Sequence, residues 1–134
     1  MVVTMTIPLV ERGDYYRGLL VLIRRDRVIT ARERELMIKV GRSLDFDTRF
    51  CESAIDDLLN NPHIKAVPMK FEDKETAESF VRDAIRLAQV DGEVHPKELA
   101  WLKAVVRENG LKNQWLYAEI KKLQKSEPSE LLPA

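Results

Sequence analysis

A chain of 134 residues, 45% hydrophobic and 33% charged, has enough apolar surface for one core and too much to remain disordered. Lys plus Arg and Asp plus Glu both number 22, so the chain lacks the net charge that would hold it on nucleic acid or an anionic membrane. A single cysteine, Cys51, excludes an internal disulfide and fits a reducing, cytoplasmic setting.

The opening MVVTMTIPLV has no basic stretch and breaks at Pro8, which is not the layout of a secretory signal. The apolar run Leu19 to Ile23 is far shorter than a membrane span. Taken alone, LLVLIRR followed by RVIT fits a strand pair as well as a helix, because short apolar runs do not separate the two. An internal repeat decides. Shifted by sixty-five positions, Arg17–Asn60 aligns without a gap on Arg82–Lys125. Arg17/Arg82, Leu22/Leu87, Asp26/Asp91, Glu33/Glu98, Val40/Val105, Arg42/Arg107, Ile55/Ile120 and Leu58/Leu123 are identical, and apolar character matches at Phe46/Leu111, Phe50/Trp115 and Cys51/Leu116. The second copy has clear helical periodicity, so the first is expected to be helical too.

After this first helix, Thr30 and Glu33 form a capping box that opens a second helix through Leu36, Met37, Val40 and Leu44. Asp47 caps a third, with Phe46 and Cys51 at the hydrophobic-staple positions. Pro62 and Pro68 make 62–73 a connector. Phe80, Val81, Ala84, Ile85 and Ala88 then mark a helix over Lys74–Val90. DGEVHP is a turn, after which His95 stands at N-cap, Pro96 at N1 and Glu98 at N3, with Val94 and Leu99 as the staple. Gly110 is the C′ residue of that helix, and a last one spans Asn113 to Lys125 with Trp115, Leu116, Ile120 and Leu123 inward. The tail 126–134 reads as flexible. The expectation is an all-α domain over 1–134, with two pseudo-symmetric three-helix units, 14–61 and 74–125, packed face to face.

Both copies place an Asp at the first turn and a Glu seven residues later, Asp26…Glu33 and Asp91…Glu98, and the second turn adds Glu93. Two readings stand. Several carboxylates around one short loop suit a hard cation, Ca²⁺ or Mg²⁺, with Gly92 easing the turn, although the loop is too short for an EF-hand. Alternatively Glu33 and Glu98 complete capping boxes and the aspartates are solvated. Arg24, Arg25 and Arg27 form a basic group that suits an anion or an acidic partner, with Arg32 and Arg34 nearby. They also crowd Asp26 and Glu33, making the first turn the weaker cation candidate.

The stretch LAQVDGEVHPKELAWLKAVVRENGL resembles the TerB-like family, the tellurite-resistance-associated domain also found at the head of some membrane-anchored DnaJ-type co-chaperones. Asp91, Gly92 and Glu98 carry the resemblance, which the repeat extends to Asp26 and Glu33; Arg27 departs from it where the family has glycine. The resemblance implies two pseudo-symmetric helical halves, acidic residues gathered on one surface to bind metal ions, and no enzymatic activity.

No catalytic constellation is legible. Cys51 aligns with Leu116 and is expected to be buried and inert, His63 is a loop histidine without an orienting acid, and no glycine-rich phosphate loop is present. Tyr15, Tyr16, Trp101 and Trp115 read as core or core edge. The functional expectation is a non-enzymatic module that binds a divalent cation at Asp91, Glu93 and Glu98, or a protein partner in a stress-response setting.

Overall fold

A computed structural model describes residues 7, 9–24, 29–60, 68–90, 92 and 94–124. Among these residues all regular structure is helical, in six elements: α1 (Leu9–Arg24), α2 (Ala31–Ser43), α3 (Thr48–Asn60), α4 (Lys74–Gln89), α5 (Pro96–Glu108) and α6 (Asn113–Leu123). Each helix of the second half begins sixty-five residues after its counterpart in the first. The apolar run Leu19–Ile23 is helical and buried, as the repeat requires. Among the described residues no helix is long and apolar enough to cross a membrane.

The helix ends follow the local chemistry of the sequence. At α2, Glu33 N–H donates to Thr30 Oγ1 at 3.1 Å while Thr30 N–H donates to Glu33 Oε1 at 2.9 Å, closing the capping box. At α5, His95 N–H donates to Glu98 Oε1 at 2.9 Å, and Pro96 occupies the first turn. Asp47 Oδ1 accepts from Phe50 N–H at 2.7 Å and so caps α3.

Both middle helices stop in the same way. After α5, Gly110 N–H donates to Arg107 O and Leu111 N–H to Val106 O, with Gly110 at φ 69°. After α2, Asp45 N–H donates to Arg42 O and Phe46 N–H to Gly41 O, with Asp45 at φ 70°. These are two Schellman motifs in which the left-handed position is glycine in one half and aspartate in the other.

Helices α1, α2 and α3 pack on one another, as do α4, α5 and α6, and α1 lies against α4 across the middle. One apolar cluster runs through both groups, from Tyr16, Met37 and Ile55 to Phe80, Leu102 and Leu116. The α1–α4 approach depends on Gly18, where a Cβ would sit 2.7 Å from the Phe80 ring and 2.8 Å from Met69. Gly41 plays the same part inside the first half, since a Cβ there would collide with Cys51 Sγ and lie 3.0 Å from the Tyr16 ring. Asn109, just past α5, holds the segment before α4: its Nδ2 donates to Met69 O at 2.7 Å and to Val105 O at 2.8 Å, and its Oδ1 accepts from Phe71 N–H at 2.8 Å.

Because left-handed backbone costs an L-residue about 1 kcal/mol relative to glycine, Asp45→Gly should stabilise the fold by roughly 0.5–1 kcal/mol and Gly110→Ala should destabilise it by about 1 kcal/mol. Urea unfolding of the two variants checks this, and a loss of stability in Asp45→Gly would contradict it.

Candidate functional site

Of the acidic residues expected at the turns, Asp26, Asp91 and Glu93 lie outside the described residues, as do Arg25 and Arg27 of the basic group. Glu33 and Glu98 are each only 1% exposed, with a carboxylate oxygen accepting the N-cap N–H of its own helix. The capping role is thus present in both copies. Among the described residues no group of three or more His, Cys, Asp or Glu is placed to hold a metal ion. Arg24 closes α1, and Arg34 donates to Asp56 Oδ1 at 2.8 Å on the surface. Cys51 is fully buried and adjoins Tyr16, whose hydroxyl donates to Met37 O at 2.9 Å. Burial first, and the Cys51 thiol second, push the Tyr16 phenol far above its usual range, so it stays protonated.

A polar group that sequence reasoning missed lies between α1 and α4. Tyr15 hydroxyl donates to Asp83 Oδ2 at 2.7 Å and shares a 2.9 Å hydrogen bond with Ser79 Oγ, while Arg86 donates to Asp83 Oδ1 at 3.3 Å. The Asp83 and Arg86 side chains are only 12% and 17% exposed, so both charges are largely desolvated. Burial raises the Asp83 carboxyl above its ordinary value, against the pull of the Tyr15 hydrogen bond and of Arg86. Tyr15 is raised well above its usual range by burial and then by the Asp83 charge. The sequence shows Asp83 and Arg86 only as an i, i+3 pair on an amphipathic helix; nothing in it reveals that Tyr15 faces them.

A concavity on the described surface has the make-up of a binding site. A groove of about 270 Å³ runs between α1 and α3. Tyr16, Leu20 and Ala54 line it with Phe46 and Phe50, while Arg17 and Asp57 supply charges. The two phenylalanine rings meet at a tilt with centroids 4.8 Å apart, and Phe46 in turn meets Tyr16 edge-on at 5.7 Å. Phe50 is nevertheless 50% exposed, so its ring offers apolar surface at the groove. Gly13, Ser53 and Ala54 are the small residues among its lining, and a Cβ built on Gly13 would meet nothing within 4 Å. The repeat carries a signal for this groove, since Gly13 and Ala54 align with Glu78 and Glu119, a loss of volume at two neighbouring positions.

No family model, no curated protein and no solved structure matches this chain.

The Asp83 shift has a definite sign. The folded carboxyl keeps its proton to higher pH than the unfolded one, so its contribution to stability is complete below its unfolded value of 3.8 and is lost as pH rises through the raised folded value. The stability of wild type relative to Asp83→Asn should accordingly fall as pH is raised from below 3.8 through the raised folded value; a relative stability in urea titrations that stays flat or rises would contradict the buried, desolvated carboxyl. At neutral pH, Tyr15→Phe, which removes the donor to Asp83 and the hydrogen-bond partner of Ser79, should cost about 1–3 kcal/mol.

Proposed function

We propose that this chain is a non-enzymatic TerB-like domain of two pseudo-symmetric three-helix units, and that it works by binding another protein through the groove between α1 and α3. The pseudo-symmetry reading is supported by helix starts that recur at one spacing, by the paired Schellman ends, and by packing within each half that meets across α1 and α4. The binding reading is carried by the groove. Its aromatic rings, small-residue floor and flanking charges are the composition of a hot-spot pocket, in which an anchor side chain is desolvated while polar groups fix its orientation. A stress-response accessory module of the tellurite-resistance kind would work in this way, with recognition and no chemistry.

Panning the full chain against a random peptide library tests this. Ala54→Trp fills the floor of the groove, whereas Tyr117→Ser removes the exposed aromatic of α6 and leaves the groove untouched. Selected peptides should lose at least about tenfold in affinity on Ala54→Trp, equivalent to about 1.4 kcal/mol, and nothing on Tyr117→Ser. Peptides that bind Ala54→Trp as tightly as wild type, or the absence of any selected sequence family, would overturn the reading.

A second reading keeps a divalent cation, Ca²⁺ or Mg²⁺, at the acidic turn of Asp91, Glu93 and Glu98, with Asp26 and Glu33 as the weaker counterpart. It is supported by the identical placement of Glu33 and Glu98, buried and fixed at the third residue of α2 and α5. A cation that binds the native state must raise its melting temperature, by about 2.7 kcal/mol of stabilisation at a hundred times the dissociation constant. Millimolar Ca²⁺ or Mg²⁺ should therefore raise the melting temperature of wild type and not of Asp91→Asn; melting curves that no cation moves would remove this reading and leave the groove.

A further inference from the structure

The second half of the molecule contains a filled version of the groove, and the comparison specifies what the open one takes; the argument rests on reading the groove as a docking site. Arg82 occupies on α4 the repeat position of Arg17 on α1, and Trp115 on α6 that of Phe50 on α3. Arg82 Nε donates to Glu119 Oε1 at 2.7 Å, and its guanidinium stands over the Trp115 ring, 5.6 Å from the centroid. Glu119 is only 8% exposed, so this is a carboxylate seated between two helices and clasped by an arginine beside an aromatic face. In the first half the arginine and the aromatic ring are kept, but Glu119 is replaced by Ala54 and Glu78 by Gly13. Among the described residues no hydrogen bond or ion pair engages Arg17, which is exposed at the edge of the groove. Ala54, which lines the groove, stands at the repeat position that Glu119 holds in the other copy.

We infer that the partner segment docking in the α1–α3 groove presents a carboxylate side chain to Arg17, with an apolar neighbour laid against Phe50 and Leu20. The occupant is an acidic-apolar peptide of another protein, and the carboxylate supplies from outside what Glu119 supplies from within. Arg17 presents a planar fork of donors suited to two carboxylate oxygens at once. Asp57, which lines the same groove, disfavours a second acid and so fixes the direction in which the segment lies. A rim ion pair of this kind contributes more to selectivity than to tightness, while the apolar contact with Phe50 supplies most of the affinity.

The peptides selected by the groove decide the matter. They should be enriched in glutamate next to Leu, Phe or Met. Replacing that glutamate by glutamine should weaken binding about fivefold to tenfold on wild type and less than about twofold on Arg17→Gln, a coupling read directly from the double-mutant cycle. Arg17→Glu should reverse the preference toward lysine-bearing peptides. Equal losses on wild type and Arg17→Gln, or groove-dependent peptides with no acid, would overturn the carboxylate inference and leave the docking site standing. Binding that is indifferent to Ala54→Trp would instead overturn the docking site. Ala54→Glu, which rebuilds the Glu119 arrangement internally, should raise the melting temperature and reduce peptide binding at least about tenfold; unchanged melting together with unchanged binding would count against the inference.

Discussion

The arrangement of both halves depends on how closely α1 approaches α4 at Gly18. With hydrogen in place of a side chain there, the Phe80 ring lies directly against the α1 backbone, and Tyr15 comes within 5.2 Å of that ring to meet it edge-on. The same approach brings the Tyr15 hydroxyl to Asp83 and Ser79. A larger residue at Gly18 would therefore push apart an apolar contact and a hydrogen-bonded network together. Packing density makes such a seam intolerant, because the displacement must be passed on to the side chains packed around it.

That seam mixes two kinds of constraint. The aromatic series Phe71, Tyr15, Phe80 and Trp101, with successive centroids between 5.2 and 5.9 Å apart, is hydrophobic and directionally permissive. The Asp83 carboxylate beside it is permissive of very little, since its partners must stay within hydrogen-bond range or its burial is uncompensated. A buried polar group of this sort adds little net stability, but it penalises any alternative register of α1 on α4. The core makes the halves adhere, and the network selects how they do so.

Much of this was legible in the amino-acid order. The Thr30/Glu33 capping box, the Asp47 cap, Pro96 at the start of α5 and Gly110 at its end each act within a few residues, and each appears as read. The repeat resolved Leu19–Ile23 as helix where local pattern was ambiguous. What escaped was of two kinds. Asp45 takes a left-handed position that aspartate adopts only occasionally, and its alignment with Gly110 is the stronger signal. The Tyr15–Asp83 contact and the groove join residues far apart in the chain, so their recognition needs the packing itself. Arg17, Phe50 and Ala54 were legible as members of repeat pairs, but a missing side chain becomes a pocket only when the flanking helices are placed. The expected acidic-turn residues Asp26, Asp91 and Glu93 fall outside the described residues, leaving Glu33 and Glu98 as the observable part of that motif.

Asn109 has a chemical consequence beyond its role as a clamp. It precedes Gly110, and an asparagine followed by glycine is the dipeptide in which the next backbone nitrogen most readily attacks the side-chain amide, expelling ammonia through a cyclic imide. Here the amide is tied to Met69 O, Val105 O and Phe71 N–H, and the attacking Gly110 nitrogen is turned into its own bond with Arg107 O. Cyclisation requires these bonds to open, so in the intact fold the reaction proceeds only through the fraction of molecules in which the end of α5 has come loose. The molecule therefore ages at a rate set by its local stability. Once the amide has become a carboxylate facing two carbonyl oxygens, the clamp does not close again.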